Sequence, residues 1–383
     1  MAELTPFRVA IHDDVLADLQ DRLGRTRWPG PSPDGAWAYG AELSAVQELC
    51  EYWRTSFDWR AAEARLNQWP QFLAEIDGEQ LHFIHARSPE PNALPLVITH
   101  GWPGSVAEFL DIIDPLVNPA AHGGDPADAF HVVAPSIPGY GFSGPTKQPG
   151  WHIRRVAAAI THLMADLGYD RYGAQGGDWG AIATMNIGEI DPEHVAGIHL
   201  NMIIAPPANP ENPMEGVEEH EIGGLTDMGA FMADETGYQQ IQGTKPQTLG
   251  YGLTDSPAGL AGWILEKFRT WSDCGGDVES VFTKDQLLTN IALYWVTNTI
   301  SSSTRLYYET MKAGQFGALP SRVEVPTGVA VFPKEIYRPP HAWAAKAFNV
   351  TRWTHFDKGG HFAAMEQPEA LVGDIRAFFR TVR

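Results

Sequence analysis

The chain has 383 residues, 44% of them hydrophobic, so one large catalytic domain with attachments is expected rather than a minimal module. Against 47 acidic side chains stand 27 basic ones, a formal charge of −20 with no basic run, which argues against nucleic acid and anionic membrane as partners. Cys50 and Cys274 fit no metal or redox spacing, and the start of the chain shows neither a secretion signal nor a membrane span, so a soluble cytoplasmic protein is expected.

In chain order, residues 12–24 read as an amphipathic helix with Asp13 or Asp14 as its cap, Leu16, Leu19 and Leu23 on one face and Gly24 as its stop. The run Pro29-Gly30-Pro31-Ser32-Pro33 forbids further helix, and a second helical pattern covers 42–56. Residues 72–76 and 80–86 flank Asp77-Gly78, a two-residue hairpin signal. From Leu96 short apolar runs alternate with glycine-rich turns and helices, the pattern of a mostly parallel sheet covered on both faces. Strands are expected at 96–99, 131–134, 172–175, 195–201, 327–332 and 350–355. Between Met202 and about Pro320 this rhythm gives way to Gly, Pro, Trp and helical segments, read as a lid over the sheet. The expected division is therefore an N-terminal extension over 1–90, a first core part over 91–201, a helical lid over 202–320 and a second core part over 321–383.

Gly176-Gly177-Asp178-Trp179-Gly180 lies between an expected strand and a helix expected from about Ala181. This is the form of a nucleophile elbow with aspartate where serine is usual, the small residues being needed in a tight turn. The competing reading makes Asp178 a cap for a helix starting at Trp179. Its partners come in the order nucleophile, acid, histidine: Glu335 follows the strand at 327–332, and His361 sits in Lys358-Gly359-Gly360-His361-Phe362 beyond the last strand. Each lies at the carboxyl end of a strand, where open α/β sheets place their sites. A lone Glu would be a solvated surface residue and a lone loop His incidental; three at matching strand ends read as a triad. His100-Gly101-Trp102-Pro103-Gly104-Ser105 stands where an oxyanion-binding amide should come from, with the backbone N–H groups of Trp102 and Trp179 as candidates. On its own the same hexapeptide is an ordinary Gly-Pro turn.

With these motifs, with Pro326-Thr327-Gly328-Val329-Ala330-Val331-Phe332-Pro333-Lys334-Glu335 and with Gly359-Gly360-His361-Phe362-Ala363-Ala364, the chain resembles over nearly its whole length the microsomal and juvenile-hormone epoxide hydrolases. The resemblance implies an α/β-hydrolase fold with a helical lid and an N-terminal epoxide hydrolase extension. It implies that Glu235-Thr236-Gly237-Tyr238 and Ser302-Ser303-Thr304-Arg305-Leu306-Tyr307 carry the tyrosines that bind the epoxide oxygen, Tyr308 being the neighbouring alternative to Tyr307. The chemistry implied is conversion of an apolar, aromatic epoxide and water to a vicinal diol. An ester on Asp178 would form with Tyr238 and Tyr307 as acids, then be hydrolysed by water activated by His361, itself oriented by Glu335. No cofactor or metal is called for, and a homodimer is an admissible assembly. A soluble bacterial-type enzyme of secondary metabolism, such as an enediyne pathway, is the nearest analogy.

Other signals are weaker. Gly139-Tyr140-Gly141-Phe142-Ser143-Gly144 has a dinucleotide-binding form, but Pro138 and Pro145 bracket it and no helix opens there. His82 and His85 point to opposite faces of an expected strand, which argues against a shared metal. Asn349-Val350-Thr351 has the glycosylation form without a secretion signal. Trp263, Phe268, Trp271 and Trp295 either line an apolar pocket or pack in the core. The rival functions are a haloalkane dehalogenase, which shares the aspartyl ester, and a catalytically silent receptor or carrier. A serine esterase is disfavoured, because neither Ser105 nor Ser143 stands in an elbow.

Overall fold

The computed structural model describes residues 4–35, 37–318 and 322–383. The expected lid-to-core boundary at 320–321 and the first three residues of the chain lie outside the described residues. Nine described strands form one sheet: β1 Thr5–Phe7, β2 Gln71–Ile76, β3 Glu79–Ala86, β4 Leu94–Thr99, β5 Phe130–Pro135, β6 Tyr172–Gly176, β7 Val195–Leu200, β8 Val323–Val331 and β9 Phe348–His355. Their order is β1-β2-β3-β5-β4-β6-β7-β8-β9. The pairs from β1 to β5 are antiparallel, and those from β5 through β4 to β9 are parallel. Every residue of β6 and β7 is buried, which requires cover on both faces and explains their unbroken apolar or small-residue runs. This is the mostly parallel, doubly covered sheet expected from the strand rhythm and the α/β-hydrolase fold that the resemblance implies, and every expected core strand is present within a few residues.

The extension differs from its sequence reading in four places. Thr5–Phe7 is a strand paired with β2, so the extension enters the sheet instead of merely leading to it. The first helix, Asp13–Gly24, is capped by His12, whose Nδ1 accepts from Asp14 N at 3.2 Å. Asp13 and Asp14 instead occupy its first turn, where their charge meets the positive end of the helix dipole. The helix ends at Gly24 as expected, but the cap is the next residue, Arg25, whose N–H bonds back to Arg22 and Leu23 carbonyls. A helix over Trp59–Leu66, unanticipated, is capped by Asp58, which accepts from Arg60 N at 2.8 Å. The hairpin is as expected: Asp77 and Gly78 both take positive φ, 53° and 79°, the backbone a two-residue turn with matching twist demands.

Between β7 and β8 the described residues form six α-helices: Ile222–Asp234, Gly237–Thr244, Pro246–Asp255, Pro257–Trp271, Lys284–Thr297 and Ile300–Lys312. The N-terminal extension packs on them. Buried Leu49 and Trp53 of the helix Leu43–Thr55 belong to the shared core, while Arg22 pairs with Asp255 at 2.7 Å and Lys284 with Glu48 at 2.8 Å. Such exposed pairs contribute under about 1 kcal/mol each, so apolar burial carries this contact. The glycine-rich loop at 139–144 serves the same assembly: Ser302 Oγ donates to Gly139 O at 2.5 Å, and Gly141 N donates to Thr299 Oγ1 at 3.1 Å. No described helix is long and apolar enough to cross a membrane.

Candidate active site

The elbow between β6 and the helix Asp178–Ile190 is built on a strained backbone. Asp178 has φ of 52°, left-handed for a residue with a side chain. The crossing with β4 is so close that a Cβ on Gly180 would stand 1.8 Å from Thr99 O. The helix begins at Asp178 itself, not near Ala181 as expected, and its cap, Gly177, makes no side-chain bond. The Asp178 carboxylate is thereby left free of capping duty and turned toward the loops at the strand ends.

Its two oxygens have different partners. Oδ1 accepts from the backbone N–H of Trp102 at 2.7 Å, and Oδ2 lies 3.3 Å from His361 Nε2. The other ring nitrogen of His361, Nδ1, is 2.7 Å from Glu335 Oε1, which also accepts from Ile336 N at 2.7 Å. The three strand ends thus bring Asp178, Glu335 and His361 into one line. Burial alone pushes the His361 pKa down, but the charges of Glu335 and Asp178 and the hydrogen bonds to both outweigh it, holding it well above the ordinary value. The Trp179 N–H lies in the first turn of its helix, where amides have no intrahelical acceptor.

The Trp102 amide is held in place by the lid, through residues the sequence reading passed over. Asn290, wholly buried on Lys284–Thr297, accepts from Ser105 Oγ at 2.7 Å and donates to Pro103 O at 2.7 Å. Tyr294 on the same helix donates to Gly104 O at 2.6 Å. The His361 loop is strapped to the lid as well: His361 N donates to Trp271 O at 2.9 Å, and Glu366 accepts from Asp273 N and Phe362 N. Apart from Glu366 and Phe362, these partners lie 90 or more positions apart in the chain, and no local signal marks them.

Tyr238 and Tyr307 face the same space from two lid helices. Tyr238 stacks on Trp102 with ring centres 5.3 Å apart, and Tyr307 stands edge-on to Trp179 at 4.7 Å. The two phenol rings are 5.9 Å apart, and the Tyr238 hydroxyl accepts from Gln239 Nε2 at 3.0 Å. Burial raises the pKa of each, followed by the Asp178 charge for Tyr238 and by Tyr238 and then Asp178 for Tyr307, so both hold their protons at neutral pH. Tyr308 points away, its hydroxyl 3.0 Å from the exposed Lys312 ammonium. Of the four lid aromatics, Trp271 alone faces the site, edge-on to His361 at 5.1 Å. Phe268 stacks behind it on Phe362 at 4.0 Å; Trp263 lines a separate groove against the extension, and Trp295 sits beneath Arg22.

His82 is enclosed by Ser136 and Gln71, while His85 bonds Tyr169 on the other side of the strand. Among the described residues no group of three or more His, Cys, Asp or Glu is arranged to hold a metal ion. Ser105 and Ser143 are both bound into loop structure, by Asn290 and by the Ser136 carbonyl.

Comparison with known proteins places two family models on the chain: the epoxide hydrolase N terminus on residues 4–109 and the alpha/beta hydrolase fold on residues 95–222. A putative epoxide hydrolase of Stigmatella aurantiaca is 46% identical over 99% of this chain and 86% of its own length. Epoxide hydrolase 1 of Sus scrofa is 37% identical over 98% of this chain and 88% of its own. Among solved structures, the juvenile hormone epoxide hydrolase of the silkworm Bombyx mori superposes with a TM-score of 0.92 at 32% identity, covering 100% of this chain and 95% of that one. The epoxide hydrolase of Aspergillus niger gives 0.88 at 33% identity, over 100% and 97%.

Proposed function

Because the chain belongs to the microsomal and juvenile-hormone family of epoxide hydrolases, we propose that it converts an apolar, aromatic epoxide to a vicinal diol in two steps through an ester on Asp178. In the first step Oδ2 attacks a ring carbon, the ring C–O bond breaks, and the departing oxygen takes a proton from Tyr238 or Tyr307. An alkoxide is far too basic to leave unaided, and two buried, protonated phenols supply what it needs. Esterification removes the Asp178 charge from beside His361, so the imidazolium gives its proton to the tyrosinate and becomes the base.

In the second step water attacks the ester carbonyl carbon while His361 Nε2 takes its proton. The negative oxygen of the tetrahedral intermediate is Oδ1, which keeps the Trp102 N–H and adds that of Trp179. The bond from carbon to the diol oxygen then breaks, that oxygen takes the proton from His361, and the acid proton left on Asp178 returns to the imidazole. Glu335 holds the ring in register and stabilises its charged form.

One observation carries this reading: Asp178 presents one oxygen to a backbone N–H and the other to His361 Nε2, under two phenols. Aromatic walls, Trp102, Trp179, Trp271 and the two tyrosines, support an aromatic substrate. The haloalkane alternative has less support, because a departing halide needs no proton, which leaves the two buried, protonated phenols without a task. Unpaired, buried Cys50 and Cys274 suit the reducing cytoplasm as the place of action. The secondary-metabolism setting, such as an enediyne pathway, rests on family resemblance alone.

A single turnover in ¹⁸O water, with enzyme in excess over styrene oxide as probe, tests the proposal. The first diol should carry no label, its new oxygen having come from Asp178, and the label should appear in the peptide containing Asp178. Label in the first diol refutes the ester.

A further inference from the structure

The two-step mechanism needs a water held against His361 and the Asp178 carbonyl carbon, and no residue named so far holds it. Beneath Asp178 lies a cavity of about 20 Å³, lined among others by Trp102, Gly104, Glu108, Asp178 and His361. That is room for a single water, and the lining supplies the several polar partners a bound water requires. Glu108 is the unexplained member of this set. It sits on the short 3-10 turn Val106–Phe109 that follows the His100–Ser105 hexapeptide, and although the residue keeps some exposed surface, its carboxyl end is in the interior.

The backbone is shaped to put it there. The Glu108 carboxyl is folded back over Gly104, so closely that a Cβ on Gly104 would stand 1.3 Å from Oε1. The Ser105 backbone N–H favours its charged form. Among the described residues it has no Lys or Arg partner; the charges that act on it are those of His361 and Asp178. Burial, the largest influence, raises its pKa to about 8, the mark of a carboxyl kept for some purpose other than a surface ion pair.

We propose that Glu108 is a positioning residue for the hydrolytic water: a carboxyl oxygen accepts one of the water's hydrogens while His361 Nε2 accepts the other, which aims an oxygen lone pair at the Asp178 ester carbon. Both the neutral acid and the carboxylate retain an acceptor oxygen, so the role does not depend on which is present. It has no part in ring opening, where no water reacts. The inference rests on the ester mechanism proposed above.

The test resolves the two steps by rapid quench with styrene oxide and follows the ester by intact-protein mass. Glu108→Leu should open the ring within threefold of the wild-type rate and hydrolyse the ester about 10- to 100-fold more slowly, with the adduct accumulating. Glu108→Gln, which keeps an acceptor oxygen, should recover most of the hydrolysis rate. Gly104→Ala leaves the glutamate in the chain but forces its carboxyl aside, and should reproduce the Glu108→Leu phenotype. The ring-opening phase reports folding in each variant; if Glu108→Leu does not fold, Glu108→Thr is read by the same criteria. Hydrolysis at the wild-type rate in Glu108→Leu overturns the inference, as does equal slowing of both steps or failure of Glu108→Gln to improve on Glu108→Leu. His361→Gln run in parallel separates the two readings: an adduct there with unchanged hydrolysis in Glu108→Leu rejects only the role of Glu108, whereas no adduct in any variant rejects the ester mechanism itself.

Discussion

Removing the two lid phenols together, as Tyr238→Phe with Tyr307→Phe, should disable ring opening while sparing the fold. The rings keep their packing in this pair of substitutions, Tyr238 stacked on Trp102 at 5.3 Å and Tyr307 edge-on to Trp179 at 4.7 Å. What is lost is hydrogen bonding to an oxygen that becomes charged. Such a bond contributes about 1.5–3 kcal/mol, and both hydroxyls are buried, so no bulk water takes their place. At about 1.4 kcal/mol per factor of ten, one phenol alone should be worth roughly 10- to 150-fold in the ring-opening rate. The two phenols flank the same space, so each single variant leaves a partner that compensates in part. The double variant should lose about 10²- to 10⁴-fold, with coupling between the sites visible in the cycle. The assay is the fast phase of tryptophan fluorescence on mixing enzyme with epoxide, since Trp102, Trp179 and Trp271 line the space where the ester forms. Tyr308→Phe serves as control and should behave as wild type. A double variant that opens the ring within threefold of wild type refutes the assignment, as does an equal effect from Tyr308→Phe.

Three further outcomes are expected. Glu335→Gln should slow ester hydrolysis by about 10²- to 10⁴-fold while ring opening falls much less, because the 2.7 Å bond to His361 Nδ1 matters most when the ring is the base; equal slowing of both phases in stopped flow refutes this. Gly180→Ala should leave little folded protein or a displaced nucleophile, given the 1.8 Å approach to Thr99 O; a variant with wild-type melting temperature and ring-opening rate contradicts the elbow geometry. The buried Asp374 carboxyl would be raised by burial, but bonds from His199, Arg352 and Thr354 prevail and lower it from 3.8 to about 2. A depressed carboxylate stabilises the fold above its unfolded pKa and loses that contribution as pH falls through the folded value. The wild type should therefore shed about 2 kcal/mol between roughly pH 4 and pH 2 from this group, seen in urea midpoints, and Asp374→Asn should flatten that part of the profile.

The parts of the molecule legible in its sequence are those whose constraint is local. An elbow must have small residues around its nucleophile, because Gly176 and Gly180 meet backbone in the folded state, and that constraint is written in five consecutive letters. The parallel strands show as apolar runs because both faces are covered, and Asp77-Gly78 shows as a turn because both positions take positive φ. Elements set by distant partners were not legible. Thr5-Pro6-Phe7 is too short to show alternation and becomes a strand only because β2 is there to pair with it. The start of the catalytic helix was misplaced by about three residues, since Asp178 enters it in a left-handed conformation that no propensity anticipates. The Trp59–Leu66 helix did carry a readable signal, Asp58 as its cap. The Tyr307 and Tyr308 alternatives are one residue apart on a helix, about 100° of rotation, and only lid packing turns the first inward and leaves the second beside Lys312. Asn290 joins the Trp102 loop from 185 positions away, a relation no window of sequence contains.

The ester on Asp178 is the central claim, and the most direct measurement is the intact mass of His361→Gln quenched after mixing with styrene oxide. Without its base the second step stalls while the first proceeds. The account predicts stoichiometric consumption of epoxide and a protein heavier by the whole epoxide, with the adduct in the peptide containing Asp178. Unmodified protein that still produces diol contradicts it, and an adduct on Ser105 or Ser143 moves the nucleophile elsewhere.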